Sequence, residues 1–89
     1  MKLRYTFVTQ KVAGQTMAVA VGEDARAFNG IVKLNDTGAV VFEKLATGPC
    51  EVEDLLEALR ERFDVPDEVL RSDLQEYLDS LREAGLLEE

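Results

Sequence analysis

The chain has 89 residues, which allow one small domain with one modest hydrophobic core. Its hydrophobic fraction of 46% favours a folded protein, while its net charge of −8 argues against binding to nucleic acid or to anionic membranes, because both need a surplus of lysine and arginine. The acidic charge lies mainly in the second half: residues 1–48 contain six basic and four acidic residues, whereas residues 49–89 contain four basic and fourteen acidic ones.

The first part of the chain predicts three short strands. Tyr5–Thr9 is β-branched and aromatic, which favours a first strand, and Ala13-Gly14 predicts a turn after it. Thr16–Val21 alternates between two faces and predicts a second strand with one face buried. One face carries Met17, Val19 and Val21, and the other face carries Thr16, Ala18 and Ala20. A polar connection then ends in the turn dipeptide Asn29-Gly30. Ile31–Leu34 predicts the third strand, in which Val32 points to the core if Leu34 does.

A helical period begins after the third strand and predicts three helices. Asn35 is expected to cap the first helix, which stops at Gly48-Pro49. The second helix begins near Glu51, and its spacing predicts one apolar face made of Val52, Leu55, Leu56, Leu59 and Phe63. The third helix has Pro66 near its first turn and ends at Gly85; its apolar stripe is Leu70, Leu74, Tyr77, Leu78 and Leu81. Leu86-Leu87 is expected to fold back onto the core.

The order β-β-β-α-α-α predicts a single α+β domain over residues 1–89. A three-stranded antiparallel β-sheet followed by three α-helices is a winged-helix-like layout, and the last two helices resemble a helix-turn-helix pair. Five of the ten exposed residues of the third helix are acidic and two are basic, however, so a recognition helix for DNA is disfavoured. No apolar run is long enough to span a bilayer, and no signal peptide is apparent, so we expect a cytoplasmic protein.

The residue inventory disfavours catalysis and metal binding. The chain has no histidine and one cysteine, which removes most zinc sites and the usual nucleophile–base pairs. Cys50 is interpreted as a small residue opening the second helix, because the carboxylates that follow it favour the neutral thiol over a nucleophilic thiolate. The carboxylates of the second helix alternate with arginines and are interpreted as a solvated face. We therefore expect no enzyme activity, no cofactor and no metal site.

The third strand offers the most informative feature. Two strands of a three-stranded sheet are edges, and an unpaired edge can accept another chain as an additional strand. A peptide could add along residues 30–34 and lie between that edge and the third helix. From the residues alone, the alternative of a short solvated edge remains equally open.

The stretch from Gly30 to Leu45 resembles the central signature of the PqqD family, in which a strand ends in Leu-Asn and a helix follows with an acidic residue, Thr or Ser, and small residues. The similarity continues through the Glu-rich second helix, the Phe-Asp-Val-Pro break at residues 63–66 and the helix end at residues 81–87, so it covers residues 5–87. One departure is Cys50, where the family often has a Thr or Ser cap.

The resemblance implies a stand-alone recognition element for ribosomally synthesised, post-translationally modified peptides. Such a non-catalytic peptide chaperone binds the leader segment of a precursor peptide and presents the peptide to a modifying enzyme, often a radical SAM enzyme. The leader adds as a strand to the third strand and packs against the third helix. Carried over by position, the peptide-binding residues are Ile31, Val32, Lys33, Leu34, Val69, Leu70, Asp73, Leu74 and Tyr77. The resemblance does not decide which flank of the third helix faces the strand.

Two further expectations concern partners. The acidic second half predicts that a peptide or enzyme touching the third helix carries basic residues. The alternative function is an acidic protein-interaction or regulatory subunit that docks a basic partner protein. The free edge can also pair with a second copy of the chain, which would give a homodimer.

Overall fold

A computed structural model describes residues 1–27 and 30–89. After a short strand β1 (Lys2–Leu3), strands β2 (Phe7–Val12) and β3 (Gln15–Ala20) form an antiparallel hairpin in register from Phe7–Ala20 to Val12–Gln15. The predicted turn at Ala13-Gly14 is confirmed, since both residues have positive φ, 52° and 81°, as the tight turns favoured in hairpins require. Because this turn is tight, pairing continues up to it. Strand β2, which corresponds to the first predicted strand, therefore ends at Val12, three residues later than the predicted end at Thr9.

Strand β3 buries its small side chains. Ala18 and Ala20 are 0% and 5% exposed, whereas Met17 and Val19, on the opposite face, are only partly buried. The buried face is therefore the one with the smaller residues. Phe42, in the helix that follows the third strand of this sheet, lies in the same core and is 1% exposed. Alanines on the sheet leave room for such a large neighbour.

Strand β4 (Ile31–Leu34) confirms the third predicted strand. It follows a short helix, α1 (Asp24–Ala27), which the sequence did not predict because one helical turn shows no periodicity. Strand β4 pairs antiparallel with β3 in register from Thr16–Leu34 to Val19–Ile31, so the strand order in the sheet is β2-β3-β4. The predicted turn residue Asn29 lies outside the described residues.

Three longer helices complete the fold: α2 (Asp36–Ala46), α3 (Val52–Arg62) and α4 (Asp67–Glu83). The predicted cap of α2 is confirmed, because Asn35 Oδ1 accepts a hydrogen bond from the Gly38 N–H at 2.7 Å. The expected opening of α3 at Cys50 is corrected: Glu51 is the capping residue, and its N–H donates to Asp54 Oδ2 at 2.8 Å. Cys50 precedes the cap and is buried, with its Sγ donating to the Gly48 carbonyl at 3.3 Å.

The C-terminal residues close the core. Leu86 is 2% exposed, which confirms that the apolar pair folds back, and strand β5 (Leu87–Glu88) pairs antiparallel with β1. The sequence did not predict this two-stranded sheet because two-residue strands carry no alternation. The helices contribute most of the core beneath the three-stranded sheet, through Val41, Phe42, Leu45, Leu55, Leu56, Leu59, Leu70, Leu74, Leu78 and Leu81. No helix in the described part of the chain is both long and apolar enough to cross a bilayer.

Candidate peptide-binding groove

Strand β4 is an edge of the sheet. Within residues 1–27 and 30–89, its only strand partner is β3, so its other edge is unpaired. Val32 and Leu34 face the core, whereas Ile31, which is 62% exposed, and Lys33 face outward. In an antiparallel sheet the N–H and C=O groups of alternate residues point to opposite sides of a strand. Half of the backbone groups of β4 are therefore directed to its unpaired side.

A cleft of about 570 Å³ lies where β4 ends and α2 begins. One wall is the start of α2, at Asn35 and Thr37, and the other wall is one flank of α4. This cleft is here called the α4 groove. The α4 residues that line it are Asp73, Glu76, Tyr77, Asp79, Ser80 and Glu83. The opposite flank of α4, at Arg71 and Gln75, lines a separate cleft with α3. The flank that faces the end of β4 is therefore the one with Asp73 and Tyr77.

Tyr77 forms the floor of the α4 groove through a close contact with Gly38. A Cβ atom at Gly38 would lie 2.8 Å from the Tyr77 ring, so only glycine leaves room for the ring in this position. The ring also meets Phe42 edge to face, with centroids 6.5 Å apart. Its hydroxyl is buried and has no hydrogen-bond partner among the described residues. Burial raises the pKa of Tyr77 to about 12, so the phenol stays protonated near neutral pH.

The sequence-predicted peptide-binding residues fall into two groups. Leu34, Leu70 and Leu74 are 2%, 4% and 1% exposed and belong to the core, and none of them lines the α4 groove. The surface group is Ile31, Val32, Lys33, Val69, Asp73 and Tyr77. Val69 is 44% exposed and lies one turn before Asp73, on the same side of α4.

Sequence reasoning missed Glu76, Ser80 and Glu83, which line the α4 groove together with Asp73. Their spacing of three, four and three residues places them along one side of the helix. That spacing was visible in the sequence, but it does not show which flank of the third helix faces the strand. Gly38 was also missed, because the sequence does not show which ring lies against it.

Metal binding finds no support in the described residues. Within residues 1–27 and 30–89, no three metal-ligating side chains lie close enough together to hold an ion. The thiol of Cys50 is buried in the core, away from the α4 groove. The groove thus offers backbone groups, one aromatic ring and carboxylates.

The family model for coenzyme PQQ synthesis protein D (PqqD) matches residues 16–87. The chain belongs to the PqqD family. The match includes β4 and the whole of α4, so every residue that lines the α4 groove lies inside it, whereas the outer hairpin strand β2 lies outside it. No curated protein and no solved structure matches the chain.

Proposed function

We propose that this PqqD-family protein is a non-catalytic peptide chaperone. It binds the leader segment of a ribosomally synthesised precursor peptide and presents that peptide to a modifying enzyme of the radical SAM class. The observation that carries the proposal is the unpaired edge of β4 beside the α4 groove. A leader that adds as a strand to this edge gains backbone hydrogen bonds from β4 and side-chain contacts from α4.

The choice of β4 over the other edge of the sheet rests on the extent of the family match. Strand β2 is also an edge, and it carries the exposed side chains Val8 and Val12. The family match begins at residue 16 and so contains β4 and α4 but not β2. The shared part of the family therefore contains only one of the two edges, and β2 serves as an internal control.

The surface residues suggest how the leader is held. The backbone groups of Ile31, Val32 and Lys33 that point to the unpaired edge supply pairing. The side chains of Ile31 and Lys33 point away from the core face of the sheet. Val32 of β4 and the exposed Val69 of α4 offer apolar side chains to the leader. Tyr77 lines the groove and offers its aromatic ring to the side chains of the leader that point towards α4.

Amide chemical shifts test this proposal. Isotope-labelled protein is titrated with synthetic leader peptides taken from short precursor-like reading frames beside the gene. We expect shifts at residues 30–35 and 68–78 at micromolar peptide, with β2 unchanged. If residues 30–35 do not respond to any leader, or if β2 responds instead, strand addition at β4 is wrong.

The alternative function is an acidic subunit that docks a basic partner protein. It is favoured by the charge of residues 49–89, which contain four basic and fourteen acidic residues. Such docking does not use the backbone of β4. A basic partner that shifts the amides of α3 and α4 and leaves residues 31–34 unchanged would support this alternative over strand addition.

A further inference from the structure

The α4 groove carries carboxylates without cationic partners. Asp73, Glu76 and Glu83, here called the acidic flank, lie on the groove side of α4 and are exposed. Within residues 1–27 and 30–89, none of these three side chains forms a salt bridge. Asp79, which also lines the groove, is paired with Arg82 at 2.9 Å. Three neighbouring negative charges thus face the groove uncompensated.

Three of the four arginines in residues 49–89 are engaged on other faces, and the fourth, Arg82, pairs with Asp79 and with Glu89. Arg60 is bidentate to Asp67, with its Nη2 2.7 Å from Oδ2, and this hydrogen bond holds the pKa of the Asp67 carboxyl below its usual range. Arg71 lies 3.3 Å from Glu53 across the α3–α4 contact. Arg62 pairs with Glu43 of α2 at 3.9 Å. The contacts between helices therefore engage three arginines, and Asp73, Glu76 and Glu83 of the α4 groove have no arginine partner among the described residues.

The alternation of a strand decides which peptide side chains meet this flank. A peptide added to β4 continues the sheet, so every second side chain lies on the same face as Val32 and Leu34 and points towards α4. Lys33 lies on the opposite face and does not neutralise the groove. Asp73 and Glu83 are ten residues apart in sequence, which is about 15 Å along the helix axis, and same-face side chains of a strand are about 7 Å apart. The acidic flank can therefore face two or three alternate side chains.

We propose, on the basis of the strand-addition function above, that the α4 groove selects an extended peptide with lysine or arginine at alternate positions, i and i+2. Both cations of such a pair face the acidic flank, while the intervening side chain points away from it. A peptide with acidic residues at the same positions is repelled. Charge complementarity in this groove thus sets which segment of a precursor is bound and in which register.

Matched peptides test the proposal. The probes are short synthetic peptides of alternating valine and threonine that contain two lysines at i and i+2, the same two lysines at i and i+1, two glutamines at i and i+2, or two glutamates at i and i+2. The first two probes have the same composition and charge, and they differ only in whether both cations share one face of the strand. Affinity is measured from the amide shifts of residues 31–34 at low ionic strength.

We expect the alternate-lysine peptide to bind about tenfold more tightly than the glutamine peptide, and several-fold more tightly than the adjacent-lysine peptide, since each exposed ion pair adds a few-fold and only alternate lysines place both cations at the flank. The glutamate peptide is expected to bind most weakly. The advantage of lysine falls as added salt screens the flank.

A matched pair of variants locates the effect. The groove variant D73N/E76Q/E83Q should lose the preference for alternate lysines. The control variant E57Q/E61Q/D64N removes three exposed carboxylates on and just after α3, with the same change in net charge. This variant should keep most of the preference for alternate lysines. Thermal unfolding of both variants checks that each is folded.

The possible outcomes separate the selectivity from the strand addition on which it rests. If residues 31–34 respond equally to the lysine and glutamine peptides, the proposed selectivity is wrong and strand addition stands. If alternate and adjacent lysines bind alike, or if the two variants lose affinity equally, non-specific attraction explains the binding and the selectivity is again wrong. If residues 31–34 respond to no probe and to no leader peptide, strand addition itself fails.

Discussion

The close contact between Gly38 and Tyr77 predicts a reversal in the effect of one substitution. At most helical positions Gly→Ala stabilises, by about 0.5–1 kcal/mol, because alanine loses less backbone entropy on folding. A Cβ at position 38 would lie 2.8 Å from the Tyr77 ring, which is closer than any van der Waals contact allows. Overpacking of this kind costs about 1–3 kcal/mol. We therefore expect Gly38→Ala to lower the free energy of unfolding by about 1 kcal/mol.

The assay is urea denaturation of a double-mutant cycle. The four proteins are the unmodified chain, Gly38→Ala, Tyr77→Leu and the double variant. Circular dichroism follows the unfolding of each protein. With the ring removed, the three atoms nearest to a Cβ at position 38 are gone, and Gly38→Ala should stabilise the Tyr77→Leu background by about 0.5–1 kcal/mol. The helix cap is retained throughout, because the N–H of residue 38 still donates to Asn35.

The result that would refute this reasoning is a Gly38→Ala variant that is more stable than the unmodified chain. The Tyr77 ring would then leave its position at little cost, and the floor of the α4 groove would not be fixed by Gly38. A change of the same sign and size in both backgrounds would also contradict it, since the two residues would not be coupled.

Three further predictions concern the same region. Tyr77→Phe removes a buried hydroxyl without a partner among the described residues and should raise the free energy of unfolding by about 1 kcal/mol; a loss measured by urea denaturation would show that the hydroxyl is satisfied. Because the pKa of Tyr77 is raised from 10.0 to about 12 on folding, the unfolded chain loses this proton first, so stability should fall between about pH 10 and 12. A Tyr77 ring that titrates near 10 by NMR, in the folded protein, would contradict this. Asn35→Ala removes the cap of α2 and should cost about 1 kcal/mol, whereas Asn35→Asp should cost much less; equal losses in thermal or urea unfolding would show that the cap does not matter.

The elements of the fold follow from short-range patterns. The alternation in Ile31–Leu34 and the apolar spacing of the last helix placed β4 and α4 correctly, because burial on one face imposes a period on the chain. The strands of Lys2–Leu3 and Leu87–Glu88 were missed, because two residues show no period and their pairing joins the two ends of the chain.

The site was harder to predict than the fold for a physical reason. A helical period shows which residues are buried, but it does not show which neighbour covers each flank. Leu70 and Leu74 were therefore included among the expected peptide-binding residues and lie in the core, while Glu76 and Glu83, which line the groove with Tyr77, were recognised as exposed but not assigned to it. The position of α2 against α4, which Gly38 permits, decides the flank, and only the folded arrangement shows it.

The proposed function depends most on backbone pairing between a leader peptide and β4. Two isomers of one leader peptide test it, one N-methylated on alternate amides and the other on the intervening amides, because only one set of amides can face β4. Strand addition predicts that one isomer binds like the parent peptide and the other loses at least about tenfold in affinity, the amount expected when several backbone hydrogen bonds are lost. Equal binding of both isomers would contradict strand addition.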